Sequence, residues 1–201
     1  AAGADPVAFR LRHLDDPRAR DVVQAVAQAA RWGEPLAPRG DAGVRTGRGV
    51  AFARYENTEA YVAAIAAVTV DVTSGAVRVW RVVVAHDCGL IVNPDGVRNQ
   101  VEGNVIQATS RALKEEVRFD STHITSLDWQ SYPILTFAEI PDVEIVLLDR
   151  PDQPPVGAGE PATVVTAPAI ANAIANATGA RLREIPFTPA RVRAALASGS
   201  H

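Results

Sequence analysis

Apolar residues recur at helical spacing toward the end of this chain and at strand spacing through its middle. Residues 169–178 read Ala-Ile-Ala-Asn-Ala-Ile-Ala-Asn-Ala-Thr without a charge, and Gly179 follows as the left-handed stop that closes many helices. A helix so small-sided and uncharged is a buried one. Thr166 is placed to cap it, with Pro168 in the first turn, where a missing N–H costs nothing. At the other end of the chain, Asp5-Pro6 and Asp16-Pro17 each set an N-cap residue before a proline at the first helical position. The second of these helices carries Val22, Val23, Val26, Ala27 and Ala30 on one face and is expected to stop at Gly33.

Between these helices the period falls to two. Strands are predicted over 49–55, 60–73 and 77–86, the last two joined through Ser74-Gly75 into a hairpin. Asn93-Pro94-Asp95 then breaks the sheet and opens a helix over 97–115, with Val101, Val105, Ile106, Ala108, Ala112 and Leu113 turned inward. Residues 117–131 are polar and irregular, 143–149 form a further strand, and a short helix after Pro189 runs to Leu196 before a frayed tail. Residues 34–48 hold Pro35, Pro38, Gly40, Gly43 and Gly47 among charged residues, which reads as a linker rather than a phosphate cradle, since no helix start follows in register. The expected organisation is a helical lead-in (1–33), a linker (34–48) and an α+β domain (49–201) in which helices pack on a mixed sheet.

Composition narrows the classes. An apolar content of 47% with 21% charged residues is ordinary for a globular core. A net charge of −3 with scattered arginines gives nucleic-acid binding little electrostatic support. No apolar run reaches the roughly 20 residues of a membrane helix. One cysteine, Cys88, excludes an intrachain disulfide and an all-cysteine metal site, so any iron–sulphur cluster is expected on a partner, and Cys88 itself reads as a small buried residue. The chain opens Ala1-Ala2-Gly3 with neither an initiator Met nor a signal-peptide pattern, as a processed or excised piece would.

The candidate chemistry centres on Val156-Gly157-Ala158-Gly159-Glu160-Pro161. Gly157 and Gly159 permit positive φ and a close approach of backbone to a ligand. The apolar helix beyond them implies that Glu160 is delivered into an interior, and burial disfavours the charged form of a carboxyl group, which suits a general base. A helix cap or an arginine partner is the other reading of Glu160, and local physics alone favours it. His86 and Asp87 read either as a dyad or as strand-end residues satisfying backbone groups. Tyr55, Glu56, Asn57 and Tyr61 cluster near a turn and read as edge residues, with a site wall as the alternative; His13 reads as a helix-surface histidine.

Three strings in order carry a resemblance: Gly157-Ala158-Gly159-Glu160-Pro161, Thr166-Ala167-Pro168-Ala169-Ile170-Ala171-Asn172-Ala173-Ile174, and Leu182-Arg183-Glu184-Ile185-Pro186-Phe187-Thr188-Pro189. Together with Asp87-Cys88-Gly89, Asn93-Pro94 and Gln100-Val101-Glu102-Gly103, they resemble the C-terminal part of the molybdopterin-binding large subunit of the xanthine dehydrogenase and aldehyde oxidase family, and most closely the isoquinoline 1-oxidoreductase beta-subunit type. The resemblance implies that Glu160 is the base beside the molybdenum and that Gln100 holds the pterin, with Gln107 a weaker candidate and Gly157, Ala158 and Gly159 lining the pocket. Asn104 departs from the glycine usual there. The implied cofactor is molybdenum with molybdopterin cytosine dinucleotide, shared with the remaining part of the molybdenum-binding subunit, alongside a two-iron two-sulphur subunit. No protein side chain is expected to ligate the metal. The implied reaction hydroxylates an aldehyde or an aromatic N-heterocycle with water as oxygen source, in a bacterial cytoplasm or periplasm; a noncatalytic module that kept the fold is the competing expectation.

Overall fold

A computed structural model describes residues 2–198. Two short helices, α1 (Pro6–His13) and α2 (Pro17–Ala29), lead in, capped by Asp5 and Asp16, whose carboxylates accept from the first-turn N–H groups. Strands β1 (Val44–Arg54), β2 (Tyr61–Asp71) and β3 (Val77–Asp87) form an antiparallel meander, and β4 (Asp142–Leu147) adds parallel to β3, giving a mixed sheet in the order β1-β2-β3-β4. Helix α3 (Pro94–Leu113) crosses between β3 and β4, α4 (Pro161–Thr178) follows the sheet, and α5 (Pro189–Ser198) ends the described chain.

The sheet is covered on both faces. Val22, Val23 and Val26 of α2 pack against Tyr61, Ala63, Ile65, Val83 and Ala85. On the other face, Val101 and Val105 of α3 and Val165, Ile170 and Ile174 of α4 meet Val62, Ala64, Ala66 and Val68. Ile170 and Ile174 are fully buried, each worth roughly 1.5–3 kcal/mol of transfer free energy. Strand β3 serves both layers by alternation, Val82 and Val84 facing one and Val83 and Ala85 the other, and its register shifts once: Ala67 faces Arg81 while Val68 faces Val79, which leaves Trp80 unopposed. That extra residue reverses the alternation, so Val79 and Val82 reach the same core.

Two glycines set the distance between β1 and α4. A Cβ on Gly49 would stand 2.5 Å from the Ala169 oxygen and nearer still to the Ala173 nitrogen, and one on Gly47 would stand 2.5 Å from the Ala177 nitrogen. The helix answers with alanines at those positions, so backbone lies on backbone. Its asparagines serve the outer edge of β1: Arg48 N–H donates to Asn176 Oδ1 (3.1 Å), and Asn172 Nδ2 donates to the Val50 carbonyl (3.1 Å). An edge strand whose groups are taken this way offers little to a foreign strand.

Several boundaries differ from expectation. Strand β1 begins at Val44, not 49, so Gly47 is a strand glycine used for packing. Helix α2 ends at Ala29, and Arg31 rather than Gly33 takes the left-handed turn (φ 50°). Helix α3 begins at Pro94, with the Asn93 side chain accepting from Gly96 N–H, and ends at Leu113. Helix α4 starts at Pro161, so Thr166 is not its cap; the Thr166 hydroxyl donates to the Ala162 carbonyl inside the helix, and Pro168 is an interior proline. Gly179 closes the helix in the left-handed region (φ 81°). Helix α5 runs to Ser198, so two residues of the expected tail are helical, and 199–201 lie outside the described residues.

Candidate active site

The loop that carries Glu160 is tied to the end of β3 and to α3. Val156 N–H donates to the Cys88 carbonyl (2.9 Å), Leu90 N–H to the Gln153 carbonyl (3.2 Å) and Arg150 N–H to the Gly89 carbonyl (3.1 Å). Gly89 must be glycine: its φ is 77°, and a Cβ there would collide with the Pro154 carbonyl. From α3, the Asn104 amide donates to the Gly159 carbonyl at 2.6 Å while its own oxygen is buried without a partner. Gln100, one helical turn before Asn104, brings its Oε1 to 3.7 Å from the position a Gly159 Cβ would occupy.

Glu160 stands at the N-cap position of α4. Its carbonyl accepts from Thr163 N–H (2.9 Å) and the Thr163 hydroxyl (2.6 Å), but its carboxylate makes no capping bond, and among the described residues no cation is within ion-pair distance. Among the described residues, the side chain bonded to it is Tyr55, whose hydroxyl donates to Oε2 and whose phenol that bond pushes up to about 12. Tyr55 opens a short 3₁₀ turn, Tyr55–Asn57, in which Glu56 (φ 48°) and Asn57 (φ 61°) both take the left-handed region. Two depressions meet at Gly159: one of about 330 Å³ bordered by Tyr55, Gly157 and Glu160, the other of about 300 Å³ bordered by Cys88, Gln100 and Ala158.

The arrangement corrects several expectations. Glu160 is solvent-exposed in this chain rather than buried, because α4 starts at the very next residue and leaves it at the helix mouth. Gly157 and Gly159 do not take positive φ; what they supply is space, with no atom within 4 Å of a Gly157 Cβ. Gln100, Gly157, Ala158, Gly159 and Glu160 come together, whereas Gln107 is exposed on α3 and borders neither depression. His86 and Asp87 are not a dyad. They point to opposite faces of β3; Asp87 accepts from Arg18 (2.5 Å), Arg150 (3.1 Å) and Gly89 N–H (3.0 Å), and His86 is fully buried with both ring nitrogens unpartnered, its pKa lowered by burial to about 4. Tyr61 is buried, donating to Asp16 at 2.7 Å, and His13 is exposed, its ring tilted 51° against that of Phe9 with centroids 4.5 Å apart.

Two participants were only partly legible in the sequence. Asn104 stood out only as a departure from glycine, although its position one turn after Gln100 was a usable signal. Tyr55 was legible only as a turn residue with a site wall as the alternative, and its bond to Glu160 was not, because the two lie 105 residues apart.

The chain is similar to several known proteins. Residues 7–141 match the family described as the molybdopterin cofactor-binding domain. The chain is 51% identical to one of the subunits of nicotinate dehydrogenase from Pseudomonas putida, over 98% of its own length and 17% of that protein's. It is 37% identical to the beta chain of isoquinoline 1-oxidoreductase from Brevundimonas diminuta, over 93% and 23%. Among solved structures it superposes on quinoline 2-oxidoreductase from Pseudomonas putida with a TM-score of 0.65 at 28% identity, covering 70% of this chain and 19% of that one. The aldehyde oxidoreductase of Desulfovibrio gigas gives a TM-score of 0.61 at 31% identity over 69% and 15%. The chain thus spans about a fifth of the length of the curated relatives it matches.

Proposed function

The chain belongs to the molybdopterin cofactor-binding domain family, and on that premise we propose that it supplies one wall of a molybdenum hydroxylase site, with Glu160 as general base. The observation that carries this reading is the state of Glu160: a carboxylate at the mouth of α4, neither capping the helix nor paired with a cation among the described residues, bordering one depression and next to Gly159, where a second meets it. A residue kept only as a cap would be bonded to the helix it caps.

The local chemistry fits the cofactor. Gly157 leaves open space where a Cβ would project, Gln100 presents an amide able to donate and accept, and Asn104 holds a buried, unpartnered oxygen beside the Gly159 carbonyl. Gln100, Gly157, Ala158 and Gly159 are therefore proposed to hold a molybdopterin cytosine dinucleotide, and Gln107 only where the remaining polypeptide carries the cofactor across α3. When bound, that group supplies two-electron redox chemistry at its molybdenum. Glu160 takes a proton at Oε1 from a water-derived hydroxyl, which readies that oxygen to attack an electron-poor carbon. The nicotinate and isoquinoline enzymes among the relatives favour an aromatic N-heterocycle as substrate, and the aldehyde oxidoreductases support an aldehyde as the second reading. The remainder of the site is proposed to come from the rest of the molybdenum-binding subunit, with a two-iron two-sulphur subunit carrying electrons away.

Glu160→Gln tests the reading in the assembled enzyme. The amide preserves volume and hydrogen-bonding shape but removes basicity, so molybdenum content should hold while turnover falls about a hundredfold to ten-thousandfold. Near-normal turnover in a folded, molybdenum-loaded variant would return the chain to a structural role.

A further inference from the structure

Resting on Glu160 as the proposed base, we propose that Tyr55 is its positioning residue: the Tyr55 hydroxyl holds Oε2 and leaves Oε1 free, in a residue that borders one depression with Gly157 and Gly159. Nothing else fixes that carboxylate. It has no capping bond, no ion-pair partner among the described residues and no burial, so without Tyr55 its side-chain torsions are free to carry it into solvent. A base that must meet a proton within hydrogen-bond reach benefits from being held in one orientation, and the ordering is supplied before substrate arrives.

The sheet is built to place Tyr55. It follows directly on β1, its N–H donates to the Ala60 carbonyl (2.8 Å), and its own carbonyl accepts from Glu59 N–H (2.9 Å). Both anchors close the turn in which Glu56 and Asn57 take left-handed backbone, a conformation non-glycine residues adopt at a cost. A turn between two strands has less strained alternatives, and the one adopted here points the phenol across to the α4 mouth. A single side chain from the β1–β2 connection thereby reads the position of the loop after β4.

Two measurements test this. The chain contains three tyrosines, so alkaline difference titration of the parent against Glu160→Gln isolates the phenol that depends on that carboxylate. Tyr55 should titrate near 12 in the parent and move back toward the ordinary value near 10 in the variant. In the assembled enzyme, Tyr55→Phe should lower kcat about tenfold to a hundredfold, the effect of one hydrogen bond to a charged acceptor, with KM unchanged and molybdenum retained. Identical tyrosine titration in parent and Glu160→Gln would overturn the contact. Unchanged kcat in Tyr55→Phe, or a rise in KM alone, would overturn the positioning role even if Glu160→Gln abolishes turnover, in which case the base assignment survives by itself. Conversely, a Glu160→Gln enzyme that keeps its turnover while the phenol shifts would sink the base assignment and leave only the contact.

Discussion

Gly49→Ala should loosen the whole α4 layer. The new methyl carbon would stand 2.5 Å from the Ala169 oxygen and the Asn172 carbonyl carbon, whereas carbon needs about 3.5 Å, so helix and strand must part by roughly 1 Å. Both neighbours are backbone, and neither can rotate away. Overpacking of this kind costs about 1–3 kcal/mol. The displacement also breaks the two asparagine bonds to the β1 edge, Asn172 to the Val50 carbonyl and Arg48 N–H to Asn176, at about 0.5–1.5 kcal/mol each. Together the loss is about 2–6 kcal/mol, read in denaturant as a lower midpoint at unchanged slope. In a thermal scan each kcal/mol should appear as about 2–4 °C for a chain of this size. Gly103→Ala is the matched control: it lies within α3 with nothing within 4 Å of its Cβ, so it should be stabilising by up to about 1 kcal/mol. If Gly49→Ala fell within about 0.5 kcal/mol of the parent, like an ordinary surface change, the backbone-on-backbone account of α4 would be wrong.

Three further outcomes follow from buried and site polar groups. His86 stays neutral in the fold down to about pH 4 but protonates near 6.5 when unfolded, so stability should fall by up to about 3 kcal/mol as pH drops across that window, and His86→Leu should flatten the curve between those values in pH-resolved denaturation. Burial opposes ionisation of Asp87, yet bonds from Arg18, Gly89 N–H and Arg150 outweigh it and hold its carboxyl below the ordinary range; Asp87→Ala should cost about 3–5 kcal/mol at neutral pH. That deficit should shrink as pH falls below about 4, where the parent loses the same contribution, and a deficit independent of pH would refute the ionic account. Gln100→Ala in the assembled enzyme should lower molybdenum occupancy without unfolding the protein, by about 1–3 kcal/mol of lost polar contact; unchanged metal content and turnover would remove Gln100 from the pocket.

What the sequence determined by itself is what acts over a few residues. The Asp-Pro caps of α1 and α2, the Asn93 cap, the left-handed Gly179 and the alternation of β2 and β3 are local physics, legible because propensity, capping and periodicity involve neighbours in the chain. The ordered glycine, carboxylate and Thr-Ala-Pro strings pointed to the family by resemblance, not by local physics. Tertiary structure decided the rest. Gly47 looked like a linker glycine and Gly49 like the start of a strand, because the helix that needs their missing side chains lies more than a hundred residues later. The bulge at Trp80 is a register choice between two strands, invisible in either one. Glu160 was expected inside because an apolar helix follows it, but exposure depends on where the helix starts relative to the sheet, and α4 starts one residue beyond it. Its bond from Tyr55 joins two loops far apart in the sequence, a proximity that only the assembled sheet and the docked helix create.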